Sequence, residues 1–247
     1  AAATTITIVN LDVMNEGFND PTPAAPVRGN PGSTVGVQRL FVFEFAANVW
    51  EAVLPSNVEI FVQAAFNGLT CTPTSGVLGS AAAITAVRDF PNAPVAGHWY
   101  HIALANKLAN SDLFANNDIN CQFNSNLGTT GCLETLSWYY GVDANPGANQ
   151  IDLLGTVLHE LGHGLGFSTT TSGSTGNYAG GFPHIYDHFL YDNVLGLQWD
   201  QMTSGQRMTS AIGCNRLVWN GAYAIQQAPA VLGDKPVLRV HAPAPIE

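Results

Sequence analysis

The sequence predicts an α+β fold in which a sheet packs on two helices, and three observations predict it. Segments alternating at period two flank one long apolar stretch of helical spacing; a second dense apolar helix carries paired histidines; and after Gly166 the chain changes to Ser, Thr and Gly before short elements resume. At 247 residues it can bury a full core, either as one large domain or as two lobes around a cleft.

Taken in order, Thr5 to Asp12 alternates branched apolar and small polar residues, as a half-buried strand does. Asn19 to Ser33 holds four prolines and two glycines and reads as a loop. From Thr34 to Leu54 apolar residues recur at helical spacing (Val37, Leu40, Phe41, Phe45, Val49), and Pro55 ends this long helix. Asn57 to Phe66 returns to period two, and Ile84 to Phe90 is a further candidate strand. Trp99 to Leu108 reads as helix. Its His101 and the preceding His98 have no carboxylate near them in sequence, so packing or surface roles are expected for both. Asp118 to Asn124 and Trp138 to Gly141 are short strands, the first a candidate sheet edge for an extended peptide. Ser168 to Gly181 has no periodicity and suits a flexible surface loop. Thr203 to Ala211 is a helix with Thr203 as cap and Gln206 at the capping-box position, and RVHAPAPIE is an extended tail.

The run His159-Glu160-Leu161-Gly162-His163 carries the most chemistry. Residues at i and i+4 share a helix face, so both imidazoles can bind one metal ion while Glu160 reaches a water beside it. By chance this composition would yield the pattern at a rate on the order of half a percent. Ile151, Leu153, Leu154, Val157, Leu158 and Leu161 supply the spacing of a buried helix, with Asp152 at its positive end. Gly162, Gly164 and Gly166 each cost roughly 1 kcal/mol against Ala in a helix interior, so packing must want them. The expectation is a close backbone approach at Gly162 and a positive φ exit at Gly166.

Two histidines leave a catalytic zinc site short of the usual three protein ligands. His184, Asp187 and His188 follow the loop soonest and are the candidates; His184, after Pro183, is favoured, and His241 in the tail is remote. No motif indicates structural calcium. Only 11% of residues are charged, with a net charge of −10, which argues against nucleic acid as a partner. No apolar run is long enough to span a bilayer, and a monomer is expected. Cys71, Cys121, Cys132 and Cys214 form no Cys-x-x-Cys pair, so two disulfides in a secreted protein are expected. Cys121–Cys132 is one pairing; Cys71–Cys132 with Cys121–Cys214 is equally open.

HELGHGLGFS resembles the zinc-binding helix of metzincin metalloproteases, His-Glu-x-x-His-x-x-Gly followed by a third ligand. Where most metzincins place that ligand this chain has Thr169, and leishmanolysin-type enzymes are similar in inserting residues before their third histidine. FNDPTP, RDFPNAPVAGHWY, FNSNLG and SWYYGVD resemble secreted bacterial metallopeptidases that carry a protease-associated domain after the catalytic part. The resemblance implies a zincin-like fold with a twisted, mostly parallel sheet over the active-site helix. It also implies a catalytic domain over 1–238, split into subdomains 1–166 and 167–238, and a linker starting at 239–247. A methionine turn would fall to Met202 or Met208. The implied function is zinc-dependent hydrolysis of peptide bonds with His159, His163 and His184 as ligands and Glu160 as general base. Tyr178, Tyr186 or Tyr191 would serve the oxyanion. Two competing readings are a zinc amidase acting on cell-wall material and a non-catalytic adhesion or binding module. Glu160 argues against the latter, because a structural zinc site has no task for a base.

Overall fold

Period-two segments near the N-terminus become β1 (Ile6–Asn10) and, after the helix α1 (Val35–Glu51), β2 (Ile60–Asn67). The computed structural model describes residues 4–213, 216–232 and 238–239, so the tail with His241 and the residue Cys214 lie outside the described residues. The chain continues through β3 (Gly79–Ala83), the two-residue strands β4 (Ala86–Val87) and β5 (Tyr100–His101), and α2 (Ile102–Ala109). Next come β6 (Ile119–Asn124), β7 (Ser137–Tyr139), β8 (Gln150–Asp152) and α3 (Leu153–Leu165). It divides into two compact units, Ala1–Ala86 with His101–Gly166, and Val87–Tyr100 with Phe167–Glu247.

In the first unit the sheet order is β1-β2-β6-β3. β1, β2 and β6 run parallel and β3 is antiparallel to β6. β6 is therefore interior and cannot offer an edge to a peptide; β1 and β3 are the edges, which corrects the expectation for 118–124. Of the Ile84 to Phe90 segment only β4 is strand, and β3, whose Gly-Ser-Ala-Ala-Ala lacks the branched residues that signal one, takes its place in the sheet.

Thr34 caps α1 by accepting the Val37 N–H through its hydroxyl at 3.3 Å. The buried face of α1 is Gln38, Val42, Phe43, Ala46 and Ala47, while Val37 and Val49 are exposed. Phe43 meets Phe18 and Phe123 edge-on with ring centroids 4.8 Å apart, at the centre of the core. α3 lies against α1, β3 and β6, and the Trp50 indole N–H donates to the Leu158 carbonyl at 3.2 Å, tying the two helices.

The second unit contains α4 (Ile185–Phe189), β9 (Leu190–Asp192), β10 (Leu197–Gln198), α5 (Ser204–Ala211), β11 (Leu217–Trp219), α6 (Ala222–Leu232) and β12 (Leu238–Arg239). Its antiparallel sheet has the order β10-β9-β11-β12, and Leu190, Trp199, Met202, Ala211 and Leu217 form a separate small core. Residues 87–100 fold with this unit and not with the N-terminal part of the chain that holds them in sequence. The cause is main-chain pairing: Trp99 N–H donates to the Pro183 carbonyl at 2.8 Å and Ile185 N–H to the Trp99 carbonyl at 2.9 Å. Thr203 and Gln206 make the expected capping box, Thr203 N–H to Gln206 Oε1 at 2.9 Å and Gln206 N–H to Thr203 Oγ1 at 3.3 Å.

Cys71 and Cys132 are joined by a disulfide, whereas Cys121 is a free thiol buried in the interior strand β6. Of the pairings the spacing leaves open, Cys71–Cys132 is the one formed and Cys121–Cys132 is not; among the described residues this is the single bridge, and burial in the core pushes the Cys121 thiol up to about 12. Among the described residues no helix is long and apolar enough to cross a membrane.

Candidate metal centre

Asp152 starts α3 by accepting the Gly155 N–H at 3.1 Å, and Gly166 ends it at φ +129°, where a side chain would be strained. Gly164 lets the helix sit down on the sheet: a Cβ there would lie 2.4 Å from Ile119 Cγ2. The close approach expected at Gly162 is absent, since a Cβ at that position would meet only Trp50 Cζ2 at 3.6 Å.

One helical turn apart, His159 Nε2 and His163 Nε2 approach to 3.0 Å with their rings nearly perpendicular. Zinc–nitrogen bonds of 2.0–2.1 Å at a tetrahedral angle set two ligand nitrogens about 3.3 Å apart, so this pair fits one ion. His159 is exposed and Glu160 is buried. Both line a 480 Å³ cavity with Gly155 and Thr156 of α3 and with Val77, Leu78 and Gly79 at the start of β3. All of these groups belong to the first unit. An edge strand thus borders the cavity that contains the histidine and the carboxylate.

The third-ligand candidates lie in the second unit. Asp187 is fully buried and committed: its carboxylate accepts Thr169 Oγ1 at 2.5 Å, Thr171 Oγ1 at 3.0 Å and the His184 N–H at 2.9 Å. These bonds also pin the start of the 168–181 loop, which the sequence reads as flexible. Burial raises the Asp187 carboxyl above 3.8 although the hydrogen bonds oppose it. His184 is buried, precedes α4 and sits in a β-bridge with Trp99; desolvation lowers it below 6.5. His188 directs Nδ1 to Asp200 Oδ2 at 2.6 Å.

Asp200 also faces His98, with Nε2 3.2 Å from the same Oδ2. His98 therefore has the carboxylate partner that its sequence neighbourhood lacks, brought from 102 positions away. Nothing in the surrounding Leu-Gln-Trp-Asp-Gln-Met singles out Asp200. Tyr178 donates its hydroxyl to the Trp199 carbonyl at 3.0 Å and accepts Arg207 at 2.6 Å, so it has a structural task. Met202 is buried in the small core after the Trp199–Gln201 turn, and Met208 is exposed on α5.

The first unit is a mixed α/β architecture whose helix α3 carries His-Glu-x-x-His, with His159 and Glu160 lining the cavity. The chain belongs to the SPBPB7E8-like family, whose model matches residues 87–212, just over half of its length. That span includes His98, the whole of α3, His184, His188 and Asp200. No curated protein and no solved structure matches the chain.

Proposed function

We propose that this protein is a secreted zinc-dependent metalloendopeptidase of zincin-like fold. The observation that carries the reading is the pair of Nε2 atoms 3.0 Å apart with buried Glu160 beside them, in a cavity bordered by the edge strand β3. When bound, zinc would acidify a water and polarise the scissile carbonyl. His159 and His163 would hold the ion by Nε2, with His184 as the proposed third ligand. His184 is favoured because it follows Pro183 at the exit of the loop, while the Asp187 oxygens already accept Thr169, Thr171 and the His184 N–H. Glu160 accepts the proton from the attacking water and returns it to the leaving amine.

A substrate in extended form adds to the free side of β3, where main-chain bonds give affinity without fixing side-chain preference. The disulfide Cys71–Cys132 supports an oxidising, extracellular setting. The test is zinc content of the purified protein together with casein cleavage before and after strong chelation. Stoichiometric zinc and chelator-sensitive cleavage are expected; cleavage that survives complete metal removal sinks the proposal.

A further inference from the structure

Inside the C-terminal unit, His98, His188 and Asp200 each present one donor atom, and the three atoms lie within 4.8 Å of one another. The hydrogen-bond pattern around His98 is informative. Its Nδ1 is 3.0 Å from the Ala96 carbonyl oxygen, which can only accept, so Nδ1 carries the proton. In the neutral ring Nε2 is then a bare lone pair, and it faces the Asp200 carboxylate at 3.2 Å, acceptor against acceptor. The same oxygen meets His188 Nδ1 at 2.6 Å, while Asp200 Oδ1 is buried with no hydrogen-bond partner. A cation among these atoms resolves the arrangement. A ring fixed by a backbone carbonyl, with its other nitrogen pointing inward, is how metal-ligating histidines are oriented.

We propose that the C-terminal unit binds a divalent transition-metal ion of its own through His98 Nε2, His188 Nδ1 and the Asp200 carboxylate. Two imidazoles and one carboxylate suit zinc and its neighbours and not calcium or magnesium, which take oxygen ligands. Bond lengths of 2.0–2.2 Å place neighbouring donors about 3.3 Å apart. The His98–Asp200 spacing of 3.2 Å meets that requirement as it stands. The His188–Asp200 spacing must open from 2.6 Å by roughly 0.7 Å to reach the same donor spacing, a small rotation for a side chain that is 29% exposed.

The donors are held from three segments. Asp200 sits in the Trp199–Gln201 turn, where fully buried Trp199 donates its indole N–H to Ser210 Oγ at 3.1 Å. The Trp199 carbonyl accepts Tyr178 at 3.0 Å and Arg207 at 3.3 Å. His188 is on α4, and His98 is next to Trp99, whose backbone pairs with Pro183 and Ile185. An ion here staples 87–100 to the rest of the unit, and its task is structural.

Its donors share no residue with the helix motif, so failure of this proposal and failure of the peptidase reading are separable. The experiment uses the full chain with His159→Ala and His163→Ala, titrated with Co²⁺ and followed by the visible absorption of the bound ion. One equivalent is expected to bind, and adding Asp200→Asn is expected to abolish it. If the variant binds no cobalt, or binds it equally with Asp200→Asn, the cluster is an ion pair only and the proposal is overturned. Should the double-alanine protein fail to fold, as read by circular dichroism, zinc analysis of the parent chain against Asp200→Asn decides. A loss of one zinc per chain supports the site, and unchanged content overturns it.

Discussion

Gly164→Ala should destabilise the protein even though it improves the helix. Alanine is favoured over glycine in a helix interior by about 1 kcal/mol. The new Cβ, however, would lie 2.4 Å from Ile119 Cγ2, 2.9 Å from Cδ1 and 3.0 Å from Cγ1. Ile119 has nowhere to go: it is fully buried, branched at Cβ, and its strand is paired on both sides, to Val62 and to Ala83. Overpacking of this kind costs about 1–3 kcal/mol, and so severe an overlap belongs at the upper end, leaving a net loss of about 1–2 kcal/mol. Gly162→Ala is the control on the same helix. Its Cβ meets only Trp50 Cζ2 at 3.6 Å, an ordinary contact, so it should gain up to about 1 kcal/mol. Urea midpoints followed by far-UV circular dichroism measure both. In an Ile119→Ala background the clashing atoms are gone and Gly164→Ala should no longer cost stability. A Gly164→Ala protein as stable as the parent would refute the packing argument.

Glu160→Gln should retain zinc and fold while cleavage falls by at least ~100-fold, the scale of losing a general base; near-full turnover would place the base elsewhere. His184→Ala should empty the helix site under graded chelator while His188→Ala leaves it filled, and the reverse order would make His188 its third ligand. Loss of the Cys71–Cys132 bridge, which spans 61 positions, should cost on the order of 2–4 kcal/mol in urea, and iodoacetamide should label Cys121 only after unfolding, as its burial demands. For Asp192, burial alone would raise the carboxyl, but hydrogen bonds from Ser210, Leu195, Arg216 and Val194 outweigh it and hold it below 3.8. A carboxyl depressed on folding contributes stability that is complete above its unfolded value near 3.8 and is lost as pH falls through the lower folded value. Asp192→Asn should therefore lose stability at neutral pH and flatten the acid limb of the urea midpoint; an unchanged limb would remove Asp192 from the account.

Legibility followed the range of the interaction. α3 was readable because its cap, apolar spacing, paired histidines and terminal glycine all lie within fifteen consecutive residues, 152–166. The Thr203–Gln206 box was readable for the same reason. α1 was readable as a helix but not for its buried face. Phe41, Val42, Phe43 and Phe45 are apolar in almost every register, so periodicity alone could not choose Val42 and Phe43 over Val37 and Val49. β3 was missed because Gly-Ser-Ala-Ala-Ala has no strand signature; its place beside β6 is decided by small side chains that let α3 approach.

The same contrast separates the two histidine sites. In the helix pair, spacing alone brings His159 and His163 together, since i and i+4 meet on any helix. His98 and Asp200 meet only because Trp99 pairs with the chain on either side of His184 and because Arg207 and Ser210 hold the Trp199–Gln201 turn. None of those four contacts has a local sequence signal. The absence of a nearby carboxylate in sequence therefore says nothing about His98, and the criterion that does is chemical: an imidazole whose Nδ1 proton is fixed by a carbonyl and whose Nε2 lone pair meets a carboxylate with its other oxygen buried and unpaired needs a positive charge between them. That charge is either a second proton on His98 or a metal ion. The cobalt titration tests the metal ion directly: imidazole nitrogens give up their protons to a transition metal, so one equivalent bound, and lost with Asp200→Asn, places the ion here.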